Sequence, residues 1–369
     1  MNRLFRWDQM GLFLLALAAG ILPFAVPEVC AAALREGLTL CSGPLLLSLF
    51  PFLVVSRLLI QCPESDLLAL PFRLAAWGIG IRTPCAARVL CIGFLGGFAP
   101  AASAAAQAVR TGQLTAEEAD ALLPACICSG PSFVVLTVGQ SLLGSAELGV
   151  LLFAAQITAN YLTAALLNRF AGVRSVKPGS AVPASPAPPR LDEILADAAI
   201  TYCKLCGFIL FFRLLAAGAG ALLPAGAGTL CAILLEVCSG CDLASRTGRW
   251  GSLLCCAALS VQGLSVLLQV RTICPPEMTL RPLYRSRLLH LPLSLALFYL
   301  LLPGGEADVF STLPARVLLM RRVPPDCALL VFAVCCMAAC TLRSGIRQVE
   351  QKQMARNAGG CCINSKTLL

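Results

Sequence analysis

Apolar runs of membrane-crossing length recur along the whole chain, and they fix the class of fold before any single residue is considered. A helix needs roughly 20 apolar residues to cross a bilayer core. Runs near that length stand at 10–27, 40–60, 86–109, 126–144, 147–168, 198–223, 227–244, 251–270, 288–302 and 326–342. With no water at that depth, every backbone N–H and C=O must be paired within the protein, so repeated runs mean helices. The expectation is an all-α polytopic membrane protein of about 8–10 membrane helices in two halves, with the lipid bilayer as its first partner.

Composition agrees with this. The chain is 58% hydrophobic and 13% charged, where a soluble domain carries about a quarter charged residues. Its formal net charge of +9 sits on basic residues clustered between the apolar runs. That is the pattern positive-inside orientation produces, and no basic face with interleaved aromatics speaks for nucleic acid. The 21 cysteines lie mostly inside apolar runs, where a thiol behaves as a small hydrophobe. Cys203/Cys206 and Cys238/Cys241 have metal-like spacing, but one histidine in the chain, His290, leaves the closing ligands hard to supply. No metal and no cofactor are expected. With no phosphate-binding loop, dinucleotide fingerprint or histidine-based triad, neither is an enzyme.

The interruptions carry more information than the runs. Gly93-Phe94-Leu95-Gly96-Gly97-Phe98-Ala99-Pro100 and Ser129-Gly130-Pro131 break apolar stretches of the first half. Glu236, Ser239 and Gly240, then Gln262-Gly263-Leu264-Ser265 and Gln269, do so in the second. Unwound turns at membrane depth expose backbone groups that bind a polar solute, and a carboxylate such as Glu236 is costly there without a role. Close helix packing through small residues, as at Gly93-x-x-x-Gly97, is the competing account. The candidate solute-binding residues are Gly97, Phe98, Pro100, Ser129, Gly130, Pro131, Glu236, Ser239, Gly240, Gly263, Ser265 and Gln269. Outside the breaks, Thr115 and Glu118 have capping-box spacing. The 61–85 segment, with Leu67, Leu70, Leu74 and Trp77, reads as an interfacial amphipathic helix or a short connecting helix.

Domain limits follow from composition. An amino-terminal span and loop occupy 1–39, the first membrane half 40–172, a linker with five prolines 173–193, and the second half 194–302. A further span falls in 303–342 and a basic tail in 343–369. Charge counting then constrains the topology. With Arg3 and Arg6 inside, three full crossings between 86 and 168 would put Arg169, Arg174, Lys177 and Arg190 outside. The conflict disappears if 86–109 enters and leaves on one side. The same counting makes 251–270, broken at Gly263, the re-entrant element of the second half, with both chain ends cytoplasmic.

The order of these motifs resembles the sporulation integral membrane protein YlbJ family. The resemblance is carried by Ser48-Leu49-Phe50-Pro51-Phe52, the glycine-rich break at 93–100, Thr115-Ala116-Glu117-Glu118-Ala119, and Ser129-Gly130-Pro131-Ser132-Phe133. It continues through 236–240, Gly263-Leu264-Ser265-Val266 with Gln269, and Arg287-Leu288-Leu289-His290. It implies nucleoside-recognition or Gate repeats, similar to membrane elements of concentrative nucleoside transporters and ferrous iron permeases. It also implies a multi-pass bacterial cell-membrane protein made during sporulation, in the mother-cell or outer forespore membrane, and associated with cortex formation. Where the family reads S-G-Y-P-x-G-A-K, this chain has Gly96-Gly97-Phe98-Ala99-Pro100-Ala101-Ala102-Ser103, and Cys126-Ile127-Cys128 replaces an Asn-rich lead into S-G-P. The expected function is to move or sense a small polar solute during spore formation. The alternatives are a non-transporting scaffold that meets other sporulation membrane proteins or a second copy of itself, and a divalent cation permease.

Overall fold

The computed structural model describes residues 2–61, 65–171 and 190–302. Most of the proline-rich linker, the 326–342 candidate span and the basic tail lie outside them. Among the described residues the fold is helical with no strand. Three helices are long and apolar enough to cross a membrane, or four if a bent pair forms one span.

The first half runs α1 (Asn2–Ala25), α2 (Pro27–Ser42), α3 (Pro44–Gln61), the short α4 (Ser65–Leu68) and α5 (Leu70–Gly78), α6 (Pro84–Gly96), α7 (Phe98–Arg110) and α8 (Ala116–Cys126). A π-helix (Ser132–Leu142) and α9 (Ala146–Ala171) complete it. The second half runs α10 (Leu191–Leu222), α11 (Ala225–Leu235), α12 (Val237–Ser245), α13 (Gly251–Val261), α14 (Gly263–Ile273) and α15 (Arg281–Leu301). Local chemistry accounts for several starts. Proline stands in the first turn of α2, α6 and α15, where its missing N–H costs nothing. Thr115 and Glu118 form the reciprocal capping box that their spacing predicts.

Polar contacts sort the helix ends into two ends of the bundle. Arg88, early in α6, donates to the Ile60 carbonyl at 2.7 Å and to Gln113 at 3.1 Å. The end of α3, the start of α6 and the end of α7 therefore share one end, the A end. Thr83–Glu118 at 2.6 Å brings the start of α8 there. Asn168, donating to the Ile79 and Ala121 carbonyls, brings the end of α9. Arg57–Asp197 at 2.5 Å adds the start of α10, and Arg110 on the Ile273 carbonyl the end of α14. Asp120, accepting from Thr279 and Leu280, adds the start of α15. At the opposite, B, end the π-helix meets α9 through Gly139 and Gly149, and Gly251 at the start of α13 packs on the end of α12.

Each half is then the same motif entered from opposite ends. In the first, α3 runs toward A, α6 and α7 fold back as a re-entrant hairpin from A, α8 and the π-helix cross as one broken span, and α9 returns. In the second, α10 runs toward B, α11 and α12 fold back from B, α13 and α14 cross as one broken span, and α15 returns. The reversals are explicit. A Cβ on Gly93 would stand 3.2 Å from the Cβ of Ala101, and one on Gly240 2.8 Å from the Cα of Ile233. Such approaches are impossible along a continuous helix rising 1.5 Å per residue. Exchanging the halves maps the α7–α14 packing onto α12–π-helix, and α8–α15 onto α13–α9. Three passes between the ends of the bundle in each half is an odd number, so the repeat is inverted.

The expected reversal at 86–109 is present. The one expected at 251–270 is not: Gly248–Ile273 is continuous enough to count as a single 26-residue apolar span, and the reversing element is 225–245. The physical reason is that Gly263 breaks the helix without letting its arms pack, whereas Gly240 lets the arms of α11 and α12 meet. Both assignments have the same parity beyond 273, so the side given to Arg281 and Arg285 is unchanged, whereas Arg246 and Arg249 move to the opposite end. Residues 28–39, expected as loop, form most of α2, which packs on α10. Cys41 there accepts at its carbonyl from the Tyr202 hydroxyl, and Glu36 pairs with Arg213 at 2.6 Å. In α4 and α5, Leu67, Leu70, Leu74 and Trp77 are exposed together, the amphipathic face expected of 61–85.

Candidate functional site

The four breaks converge. The first hairpin turns at Gly97, whose φ of +80° and ψ of −163° only glycine adopts without strain. A Cβ there would lie 2.6 Å from the Gly130 nitrogen, so hairpin tip and span break are in backbone contact. The second hairpin turns at Glu236, in extended backbone, against Gly263, where a Cβ would be 3.0 Å from the Glu236 nitrogen. Gln262 and Gly263 are both left-handed, with φ of 66° and 69°, which is what interrupts α13–α14. The two crossings are joined by Gln262 Nε2, which donates to Ser129 Oγ at 3.4 Å and to the Leu259 carbonyl at 2.5 Å.

Between them lies a small, partly open cleft of about 40 Å³, room for a small polar group rather than a drug-sized ligand. The first hairpin contributes Gly96 and Phe98, and the first break Ser129, Gly130, Ser132 and Phe133. The second hairpin contributes Glu236, Val237 and Cys238, and α14 gives Val266 and Gln269. Leu45 and Leu49 of α3 with Ile209 of α10 close an apolar wall.

Glu236 is 1% exposed and caps α12. Its Oε1 accepts from Cys238 N at 2.8 Å; its Oε2 accepts from Ser239 N at 2.7 Å and from Ser239 Oγ at 2.8 Å. The cap explains how a carboxylate survives at this depth, since it meets orphan N–H groups and the positive end of a helix dipole. Gln269 donates through Nε2 to Ser265 Oγ at 2.8 Å, and its buried Oε1 has no partner. Gln262 Oε1 is unpartnered as well.

The candidate residues thus fall into three groups. Phe98, Ser129, Gly130, Glu236 and Gln269 line the cleft. Gly97, Pro131, Ser239, Gly263 and Ser265 build its frame, as tip, π-helix start, cap partner, break and hydrogen-bond partner. Pro100 and Gly240 pack the hairpin arms, on Gly96 and on Ile233, away from the cleft.

Sequence reasoning missed Arg287. This guanidinium, 8% exposed on α15, donates to the Ser260 carbonyl at 3.3 Å, the Ile127 carbonyl at 3.3 Å and Asn160 Oδ1 at 3.4 Å. Ile127 ends α8, and Ser260 stands in the last turn of α13. One buried cation therefore answers the negative carboxy ends of both broken spans. Asn160, on the Ile127 carbonyl at 3.3 Å, supports it, and Gln156 donates to Ser260 Oγ at 2.9 Å in the same layer. The available signal was weak: Arg287 is the last of three arginines in the first two turns of α15 and the one that adjoins its apolar run.

Among the described residues no three of His, Cys, Asp and Glu stand together as metal ligands, and the cysteines are free thiols. At the A end Cys274, outside the crossing helices, is pushed up to about 12 by burial and stays protonated. No family model, no curated protein and no solved structure matches this chain.

Proposed function

We propose that this chain is a multi-pass membrane protein whose inverted-repeat core binds a small polar solute in the central cleft and passes it across the bilayer during spore formation. The observation that carries the reading is the convergence of two hairpin tips and two span breaks on one cleft, next to a Gln269 amide oxygen without a partner. Discontinuous helices meeting between inverted repeats are the arrangement in which transporter folds bind and rock. The sporulation setting rests on the order of motifs shared with the YlbJ family.

The A end carries Arg57, Arg82, Arg88, Arg110, Arg169, Arg190, Arg271, Arg281 and Arg285, against Arg246 and Arg249 at B. By the positive-inside rule A is cytoplasmic.

A second reading, a non-transporting scaffold for spore assembly, is favoured by the apolar wall of Leu45, Leu49 and Ile209. A divalent cation permease lacks a ligand set among the described residues. The test is complementation of a deletion strain by the double variant Glu236→Gln, Gln269→Ala at normal protein level. The transport reading expects the yield of heat-resistant spores to drop with the double variant as it does in the deletion. Full rescue transfers the role to the scaffold, and a deletion strain with normal spores removes sporulation altogether.

A further inference from the structure

The geometry points to a cleft that selects solutes presenting an ammonium or amine group and rejects carboxylates. This deepens the solute-binding reading above and rests on it.

Among the described residues Glu236 is the one carboxylate on the lining, and no Lys, Arg or His lines the cleft beside it. Its two oxygens offer about four lone-pair sites; Cys238 N, Ser239 N and Ser239 Oγ take three, and the Cys238 thiol, a weak donor, is the only side chain that faces the fourth. Gln269, 1% exposed on the same lining, adds an oxygen with no donor at all. Ser129 accepts from Gln262 and keeps its hydroxyl hydrogen for a second, weaker role toward a solute hydroxyl.

The buried guanidinium of Arg213 lies behind the lining: it pairs with the half-exposed Glu36 at 2.6 Å and also acts on Glu236, so it offsets part of that charge from outside the cleft. The dipole of α12 offsets more. What the lining itself presents to a solute is acceptor oxygens with no cationic side chain beside them. A carboxylate brought against Glu236 meets oxygen on oxygen, while an ammonium supplies the missing donors. Arg287, the other buried cation, is directed at the Ile127 and Ser260 carbonyls and is not on the lining.

The experiment uses the full chain in proteoliposomes with three probes of one size: ethanolamine, ethylene glycol and glycolate. Equilibrium binding is read from the shift of the melting curve, and flux from protein-dependent uptake of labelled probe. Ethanolamine is expected to bind at least tenfold more tightly than glycolate, with glycol between them. Glu236→Gln keeps one capping oxygen and removes the charge, and it should erase the preference. Gln269→Glu adds a second carboxylate and should widen the preference tenfold or more, which keeps the inference testable if Glu236→Gln fails to fold. Binding of ethanolamine without uptake supports this inference and sinks transport. Uptake of glycolate equal to or above ethanolamine overturns this inference and leaves transport standing. Absence of ethanolamine binding also overturns it.

Discussion

At the tip of the first hairpin the chain turns on Gly97, with no side chain and a glycine-only backbone; at the tip of the second it turns on Glu236, whose carboxylate caps the next helix. The two tips occupy equivalent places in an inverted repeat, and each touches the break of its own half, at Gly130 and at Gly263. Both tips meet their breaks through backbone, with Cys126 and Cys128 buried beside the first. The second alone adds polar side chains along its own helices: Glu236 bonded to Ser239, and Gln269 to Ser265. One repeat has kept the shape of a site and the other its chemistry. A bilayer forces both to satisfy their unwound backbone, but only one solution leaves acceptors for a solute.

The comparison is broken most forcefully at the first tip. Gly97→Ala meets both a forbidden backbone region and the Gly130 nitrogen at 2.6 Å. We expect a loss of about 3 kcal/mol or more, seen as loss of monodisperse protein on size exclusion. Gly263→Ala faces a milder left-handed φ of 69° and a 3.0 Å approach. It should cost about 1–2 kcal/mol and leave folded protein with a lowered melting temperature. Equal losses at the two glycines would erase the distinction between a tight, glycine-only tip contact and a looser one.

Next in size is the residue that ties the crossings together. Arg287→Met removes the cation facing two helix carboxy ends; Asn160 still donates to the Ile127 carbonyl, but the Ser260 carbonyl and Asn160 Oδ1 lose a donor, each worth about 1–3 kcal/mol. The relief of a buried charge offsets part of this, so the net loss should be about 2 kcal/mol. Cys126 and Cys128 flank Ile127 and are 2% and 1% exposed. Their modification by N-ethylmaleimide, read peptide by peptide, should rise in Arg287→Met and be restored in Arg287→Lys. Unchanged thiol reactivity would show that Arg287 does not hold the first break.

How far the sequence reveals this depends on which physical signal each feature leaves. The helical class, the two halves and the capping box at Thr115 were legible, because apolar length and Thr-x-x-Glu spacing have local causes. The reversal at 86–109 was legible from charge parity. The second reversal was not: glycine marks where a helix breaks, at Gly263, but not whether the arms then pack on each other, which Gly240 decides against Ile233. Helix α2 was hidden because Glu28, Arg35 and Glu36 looked like loop residues, whereas Glu36 finds Arg213 across the interface with α10. Arg287 was hidden for the converse reason. Its partners are carbonyls at breaks that lie 27 and 160 residues away, and carbonyls leave no mark in a sequence.

The smallest expected effect separates cap from site. Glu236→Ala removes the acceptor for Cys238 N and Ser239 N, a loss of about 1 kcal/mol typical of an N-cap. Glu236→Asp can still cap, with its carboxylate one methylene further from the cleft, and Glu236→Gln keeps a single capping oxygen without the charge. If Glu236 were only a cap, thermal stability and spore yield would fall together across the three variants, with Ala the worst. If it also serves a solute, stability should rank Asp above Gln above Ala, while function is lost in Gln as fully as in Ala. That divergence is what the comparison of the two tips demands, because at Gly97 no side chain exists whose two roles could be pulled apart.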